Sequence, residues 1–143
     1  HGYRVAYFPS GAIWGEARYE ADAKDGAFVE FYEDGTVKSE RTYRDGRLDG
    51  QYRTYYHSGK LEYNCKFASN YLNGPCLWYF EDGQPRSMWD YADNVLNGDI
   101  KEFDKRGGLI SEWSYYEGDK VKGPAGDPKQ PLLPHVSWGQ VVK

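Results

Sequence analysis

The chain has 143 residues and a net charge of −4, and 17% of its residues are aromatic, among them 14 tyrosines. Its mean hydropathy of −0.87 and its few aliphatic side chains favour a thin sheet wetted on both sides over a thick core. Acidic and basic residues alternate without blocks, which argues against nucleic acid and anionic lipid as partners. No apolar run approaches the roughly 18 residues of a membrane span, so we expect a soluble chain.

A unit of 24 residues recurs along the chain, most clearly in residues 28–98. Gly35, Gly59 and Gly83 stand 24 residues apart, and the same step leads back to Gly11 and on to Gly107. We call such a set of positions, each 24 residues from the next, a column. Three further columns have the same spacing: Gly26, Gly50, Gly74 and Gly98; Tyr19, Tyr43, Phe67, Tyr91 and Tyr115; Tyr7, Phe31, Tyr55, Tyr79 and Phe103. Four columns in phase predict a repeat architecture.

The chain opens with a degenerate copy in residues 1–26, where Tyr7-Phe8-Pro9-Ser10-Gly11 matches the later aromatic-aromatic-x-x-Gly segments. Terminal repeats commonly depart from the pattern because one side has no neighbour to match. The first residue is His1 rather than Met, so we expect that an upstream segment has been removed. The sequence does not say whether a signal peptide or a lipid anchor was part of it.

In the following copies, two β-rich runs separated by a turn predict a β-hairpin. The turns Asp34-Gly35, Ser58-Gly59 and Asp82-Gly83 are predicted two-residue connections, because their glycines tolerate a positive φ. The connections between hairpins look longer and share a column that holds only Gly or Asn, at positions 46, 70, 94 and 118. We predict a left-handed backbone in that column.

The last copy, residues 99–123, keeps the columns of Phe103, Gly107 and Tyr115. Prolines dominate residues 124–143, which we interpret as an extended C-terminal tail following a repeat domain in residues 1–123. Within the tail, residues 135–142 either add to the sheet as an edge strand or fold back over its open end, with Trp138 as a plug, or stay undocked.

In an antiparallel hairpin the residue numbers of paired residues have a constant sum. The predicted turns therefore place Thr54 opposite Tyr63 and Tyr56 opposite Leu61. The same rule applied to the next connection places Phe67 opposite Gly74. One row then crosses the better buried face: Phe28, Arg41, Tyr52, Cys65, Cys76, Trp89, Ile100 and Trp113. The other face carries an aromatic ladder among charges: Phe31, Tyr55, Tyr79 and Phe103 with Lys38, Arg53, Glu62, Lys66, Arg86 and Lys101. A bulge in any turn would flip these faces.

The two cysteines, Cys65 and Cys76, are predicted to lie directly opposite each other on adjacent strands. Such a pair can form a disulfide, or it can be two small buried hydrophobic residues, and we favour the free thiols. Two cysteines and scattered histidines leave no set with zinc spacing, so we expect no metal and no cofactor.

The segment Tyr55-Tyr56-His57-Ser58-Gly59-Lys60-Leu61, preceded by Tyr43-Arg44-Asp45-Gly46-Arg47-Leu48-Asp49-Gly50, resembles the MORN repeat in its longer bacterial variant. The resemblance covers roughly residues 3–123. The sequence departs from the pattern at Pro85, Asp104 and Arg41. The resemblance implies an all-β fold, an elongated single-layer antiparallel sheet of successive hairpins.

The resemblance also suggests functions, although one scaffold hosts many roles. Bacterial proteins of this variant look like antitoxins and immunity proteins that neutralise a toxic effector, some of them lipase effectors. Eukaryotic relatives are linked with membrane tethering, scaffolding or methyltransferase accessory domains, and this chain has no methyltransferase-like segment.

Catalytic patterns are weak in this sequence. His57 and Ser58 are adjacent in a turn without a fixed acid or oxyanion donor, and a nucleophilic site needs those roles to converge. The recurring pairs Glu33-Asp34 and Glu81-Asp82 are typical of solvated turns, and Gly107-Gly108 is a poor phosphate loop. We therefore expect no enzyme.

Aromatic residues present in only one copy are the candidates for partner binding, because the repeat itself does not explain them. Trp78, Tyr63 and Tyr71 replace residues of other types in the other copies, and Trp89 and Trp113 fill a column that is otherwise Ala17, Arg41 and Cys65. Gap filling is the favoured alternative for Trp89 and Trp113, and is equally favoured for the other three. Tyr55 and Tyr79 of the ladder complete the predicted site.

These patterns lead to one hypothesis of function, with alternatives. We expect a bacterial immunity protein or antitoxin that neutralises a toxic effector by protein contact, and a lipase-type effector is one candidate. Its expected compartment is the periplasm, with the cytoplasm as the alternative. The rival interpretations are a peripheral membrane or lipid-binding scaffold, which the acidic balance disfavours, and a scaffold that associates with itself through an open sheet edge.

Overall fold

A computed structural model of the chain describes residues 2–128. Within that range the chain has no helix and forms a single antiparallel sheet of twelve strands. The strands are β1 (Gly2–Tyr7), β2 (Ile13–Glu20), β3 (Ala23–Phe31), β4 (Val37–Arg44), β5 (Arg47–Tyr55), β6 (Leu61–Ala68), β7 (Tyr71–Leu72), β8 (Gly74–Tyr79), β9 (Pro85–Ala92), β10 (Val95–Phe103), β11 (Leu109–Tyr116) and β12 (Asp119–Lys122).

Neighbours in the sheet are neighbours in the chain. The order runs from β1 to β12 without a crossover, and the short β7 pairs with β6 beside β8. This arrangement confirms the predicted all-β sheet of successive hairpins. The strands occupy the predicted repeat domain, and the predicted docking of residues 135–142 and of Trp138 lies outside the described residues.

The two kinds of connection are the reverse of the prediction. After β3, Glu33, Asp34 and Gly35 form a three-residue loop, closed by the bond from the Tyr32 amide to the Thr36 carbonyl at 2.8 Å. Gly35 supplies the left-handed residue of this loop, with φ at +90°. The predicted pair of Tyr56 and Leu61 is accordingly wrong, because a bulge next to each such loop pairs Leu61 with Tyr55.

The connections expected to be longer are two-residue turns. Asp45 and Gly46 join β4 to β5 with φ values of +49° and +79°, and Ser69 and Asn70 repeat this geometry at +47° and +75°. Two successive positive φ values define a type I′ turn, which matches the twist of a hairpin. The left-handed column of Gly and Asn is therefore confirmed.

The predicted row crosses the sheet as expected and defines what we call the inner face: Phe28, Arg41, Tyr52, Cys65, Cys76, Trp89, Ile100 and Trp113. Tyr52 and Ile100 are fully buried in it. One predicted pair beside the row is wrong, since Phe67 pairs with Leu72 rather than with Gly74. The opposite side is called the outer face.

Arg41 is the one charged residue of the inner row, and its surroundings explain it. Its guanidinium lies 5.0 Å from the ring centres of both Phe28 and Tyr52. It also forms an ion pair with Glu30, whose carboxylate accepts a hydrogen bond of 2.8 Å from Ser39 Oγ. Glu30 is only 4% exposed, so the pair neutralises a carboxylate inside the packed face.

Cys65 and Cys76 form a disulfide, so the favoured interpretation of two free thiols was wrong. The predicted register is the physical reason, because direct opposition on adjacent strands brings the two Cα atoms to 4.3 Å. The bond joins β6 to β8, which pair through only two residues each, Tyr63 with Trp78 and Asn64 with Leu77.

The bulges also change the predicted faces of three charged residues near the loops. Lys38 lies over the Tyr32 ring at 5.6 Å. Glu62 accepts a bond of 3.0 Å from Thr54 Oγ1, and Arg86 lies over Trp78, although Thr54 and Trp78 belong to the inner side of the sheet. Placing these charges with the outer ladder was wrong, because the extra residue of each bulge turns the side chain toward the loop end.

Candidate partner-binding site

The seven predicted binding residues do not form one surface. Trp89, Trp113 and Tyr63 lie on the inner face and are 3%, 7% and 4% exposed. This placement supports the gap-filling interpretation of the two tryptophans. Tyr71 is 52% exposed on β7, directly after the two-residue turn Ser69-Asn70, and lies on the outer face.

Tyr63 has a structural task at the disulfide. Its hydroxyl contacts Cys65 Sγ and lies 3.4 Å from Cys76 Sγ. Burial raises the pKa of Tyr63 well above its ordinary value, so the hydroxyl stays protonated. The ring also packs edge to face against Trp78, with the ring centres 5.9 Å apart.

Trp78 is the centre of a group at the loop end of β8, which we call the Trp78 cluster: Tyr56, Tyr63, Trp78, Phe80 and Arg86. Tyr63 is buried, Arg86 is exposed, and the other three are half-buried. The Arg86 guanidinium lies 5.3 Å from the Trp78 ring and 5.6 Å from the Phe80 ring. Burial raises the pKa of Tyr56, and the neighbouring Trp78 side chain partly opposes that rise. Trp, Tyr and Arg are the residue types that most often carry binding energy at interfaces.

The repeat explains why these side chains meet. Trp78 pairs with Ser87 in the last regular pair of the hairpin before its bulge, so the side chain stands at the rim of the inner face. The small Ser87 opposite leaves the indole room. The Tyr56 hydroxyl of the preceding copy donates a bond of 2.6 Å to the Tyr79 carbonyl, which holds the two copies in register at this rim.

Tyr55 and Tyr79 lie on the outer face, away from the Trp78 cluster. The Tyr55 hydroxyl donates a hydrogen bond to Glu40. Burial, together with that carboxylate, raises the pKa of Tyr55 to about 12. The predicted ladder is thus half-buried between charged neighbours.

Three residues of the Trp78 cluster were missed by the sequence analysis. Tyr56 and Phe80 belong to a recurrent aromatic column and were assigned to the scaffold. Arg86 was placed among the charges around the outer ladder, although the equivalent positions of the other copies hold residues of very different types: Trp14, Lys38, Glu62 and Ile110. A position that varies this much between copies is not required by the repeat, and this variation could have identified Arg86 as a candidate binding residue.

The side chains considered for catalysis, those of His57, Ser58 and Asp34, make contacts within and between the turns. Ser58 Oγ accepts the Lys60 amide at 3.4 Å, and His57 stacks on Tyr32 at 3.7 Å, with Nδ1 lying 3.4 Å from Asp34 Oδ2. Asp34 accepts the Thr36 amide and hydroxyl, and those bonds lower its pKa. In residues 2–128 no group of three or more His, Cys, Asp or Glu side chains could hold a metal ion.

Comparison with known proteins gives the family. The family of the MORN repeat variant matches residues 24–45, 48–68 and 72–93. No curated protein matches the chain. In the described part of the chain, no helix is long and apolar enough to cross a membrane.

The matched ranges cover β3 to β9, and the same hairpin geometry continues on both sides, in β1 and β2 and in β10 to β12. Positive φ values at Gly11 and Gly107 keep the repeat's turn in these outer copies. The chain is a MORN repeat protein.

Proposed function

We propose that this protein is a bacterial immunity protein or antitoxin that binds a toxic effector and blocks it by contact, with a lipase-type effector as one candidate. The observation that carries the proposal is the Trp78 cluster, which gathers indole, phenyl, phenol and guanidinium groups at one half-exposed rim. A repeat sheet offers an extended surface, which suits an inhibitor that occludes its target.

The disulfide supports the periplasm as the compartment of this activity. Disulfides form and persist in oxidising compartments, whereas cytosolic thiols are kept reduced. The Cys65 and Cys76 bond joins two copies in the middle of the sheet. An inhibitor that keeps its shape through such a bond is suited to meeting an effector outside the cytoplasm.

The test is recovery and inhibition of one effector. The purified protein, used as bait with an extract of its producing strain, should retain one effector protein, and the two should form a complex that abolishes the effector's toxic activity. Trp78→Ala should weaken this complex about 30-fold or more, because truncating a central anchor typically costs about 2 kcal/mol or more.

Trp14→Ala is the matched control, since Trp14 is 40% exposed and lies on β2 outside the Trp78 cluster. It should leave binding unchanged. Thermal unfolding of both variants separates lost contact from lost folding, and Trp78→Phe, which keeps the packing on Tyr63, should recover part of the affinity. If no effector is inhibited, or if Trp78→Ala binds as tightly as the unchanged protein, the proposal is wrong.

Self-association is a second candidate function, favoured by the first strand. β1 pairs on one side only within the described residues, and Tyr3, Val5 and Tyr7 are 75%, 42% and 63% exposed on it. An exposed apolar edge strand is a template for pairing with another chain. Light scattering over a range of concentrations should then show growing mass, and a constant monomer mass would exclude this function.

A further inference from the structure

The outer face of β8 and β9 differs from the outer face of the other copies. Met88 stands where the other copies carry polar or acidic residues, namely Glu16, Glu40, Asn64 and Glu112. Leu77 lies directly opposite Met88, in a column that is basic in two other copies, at Arg53 and Lys101. The repeat does not require an apolar pair at this place.

Further apolar side chains extend this pair along the hairpin. Val95 is 39% exposed and pairs with Ala92 at the end of β9, and Tyr71 is 52% exposed on β7. The outer patch is the set of these outer-face residues: Tyr71, Leu77, Tyr79, Met88, Ala92 and Val95. In the second copy, the positions of Tyr71 and Ala92 are Arg47 and Arg44, so the patch belongs to the third and fourth copies.

Two carboxylates lie inside the outer patch. Asp90 lies between Met88 and Ala92 on β9, and its carboxylate packs over Gly98, where a Cβ would collide with it. Asp99 follows on the next strand, and its carboxylate accepts a bond of 3.0 Å from Ser114 Oγ. Burial, and then the charge of Asp99, raise the pKa of Asp90.

Within residues 2–128, neither carboxylate forms an ion pair with a lysine or arginine. The lysine and arginine ion pairs of these residues involve other acidic residues, and Lys101, which pairs with Met88 across the strands, is bound to Glu112 at 3.6 Å. Two like charges beside an apolar surface repel each other, and a cation between them would relieve that repulsion. A further anion would be repelled.

We propose that the outer patch is a second docking surface, for a protein segment that presents an arginine or lysine flanked by apolar side chains. The cation lies between Asp90 and Asp99, and the apolar neighbours cover Leu77 and Met88. Charge complementarity selects this occupant over an anionic membrane or an acidic peptide. The surface lies on the opposite side of the sheet from the Trp78 cluster, so its occupant is independent of the proposed effector contact.

The probe is a synthetic peptide of about ten residues, the length of one strand, in which leucine alternates with arginine. Its matched control replaces each arginine with glutamate. Both are titrated into isotope-labelled protein and followed through the backbone amides. The arginine peptide should bind and shift amides of β8, β9 and β10, whereas the glutamate peptide should leave the spectrum unchanged.

Two variants test the surface. Met88→Asn installs the residue that the third copy carries at this position, Asn64, so it should fold. Because it removes the apolar contact without adding a charge that would attract arginine, it should weaken the arginine peptide about tenfold or more. Asp90→Asn combined with Asp99→Asn keeps shape and removes both charges, and should weaken it similarly at low salt. Trp78→Ala and Glu40→Gln should bind as the unchanged protein does.

The proposal is overturned if the arginine peptide does not bind at millimolar concentration, or if both peptides bind equally. Shifts confined to β1 or β12 would place binding at a sheet edge and also overturn it. The same holds if the variants bind unchanged, or if dilution shows that the outer patch is covered by a second copy. None of these outcomes depends on Trp78, so failure here leaves the proposed effector contact standing.

Discussion

Strands β4 and β6 occupy equivalent places in the repeat, each before the joint to the next copy, and use opposite chemistry in the inner row. In the first, Arg41 lies between two rings and is neutralised by Glu30. In the second, Cys65 takes the place of Arg41, and its disulfide bond to Cys76 joins β6 to β8, which is the joint between two copies. Both positions lie in the same row, where Cys65 is 1% exposed and the Arg41 side chain 13%.

The comparison shows that the repeated backbone determines which positions face the packed side of the sheet. It does not determine which type of side chain fills such a position or which partner that side chain has. In β9 and β11 the same column holds the indoles of Trp89 and Trp113. A charge, a thiol and an indole all fit because the row runs through neighbouring strands at fixed spacing. Each joint between copies therefore has its own chemistry, and each can be broken separately.

The largest effect is expected at the ion pair. Arg41→Met should lower the free energy of unfolding by about 3 kcal/mol or more, because removing one partner leaves Glu30 charged and 4% exposed. Chemical denaturation measures it. Adding Glu30→Gln to Arg41→Met should restore more than half of the loss, since the stranded charge is then gone. A loss below about 1 kcal/mol in the single variant would contradict a buried, mutually dependent pair.

The second effect breaks the covalent joint. Replacing Cys65 and Cys76 together by alanine should cost about 3 kcal/mol, because a disulfide restricts the unfolded chain and this one spans a sequence separation of 11. Hydrogen exchange should speed up first in β6 and β8, where the backbone pairing is shortest. Reductant added to the unchanged protein should reproduce the loss. If reductant has no effect on stability, the joint does not depend on the bond.

A smaller effect concerns the turns that clamp one copy to the next. Asn70 Oδ1 accepts the Leu48 amide at 2.8 Å, and Asn94 Oδ1 accepts the Leu72 amide at 2.7 Å, whereas Gly46 has no side chain to do this. Asn70→Gly should cost about 1 kcal/mol for the lost bond, and Asn70→Ala about twice that, because alanine must also adopt a positive φ. Thermal unfolding of the pair measures both. Equal losses would show that the backbone conformation, at +75°, carries no cost here.

The sequence predicted the inner row completely and the loops incorrectly, for a physical reason. Pairing in the body of a hairpin depends on the sum of residue numbers, and the pair of Thr54 and Tyr63 obeys it. The bulge changes only the pair next to the loop, and an Asp-Gly sequence fits both a two-residue turn and the last part of a three-residue loop. Local sequence alone does not distinguish the two.

The candidate site was predicted in part. Trp78 and Tyr63 were found because they break the repeat, and they do lie together. Arg86 and Phe80 were missed, because a charge after a turn looks solvated and an aromatic in a recurrent column looks structural. The disulfide shows the same limit: the register placed Cys65 opposite Cys76, but opposition alone allows either a bond or two thiols.

The smallest expected effect concerns Asp90, a carboxylate of the outer face. It differs from Glu30 of the inner face, which is paired with Arg41. The pKa of Asp90 in the folded protein lies above its ordinary value of 3.8, chiefly because of burial and then because of Asp99. The folded state therefore binds this proton more tightly than the unfolded state. Stability contributed by the protonated group is present below the ordinary pKa and is lost as pH rises through the folded pKa.

Asp90→Asn removes this loss. The variant should be more stable than the unchanged protein at pH 7, by less than about 1 kcal/mol because the group is largely solvated, and should show no advantage at pH 3. Urea unfolding at the two pH values measures the difference. Asp99→Asn, which removes only the second cause, should give a smaller gain of the same sign. An advantage of Asp90→Asn that is equal at both pH values would show that packing over Gly98, and not the charge, sets the energy of this site.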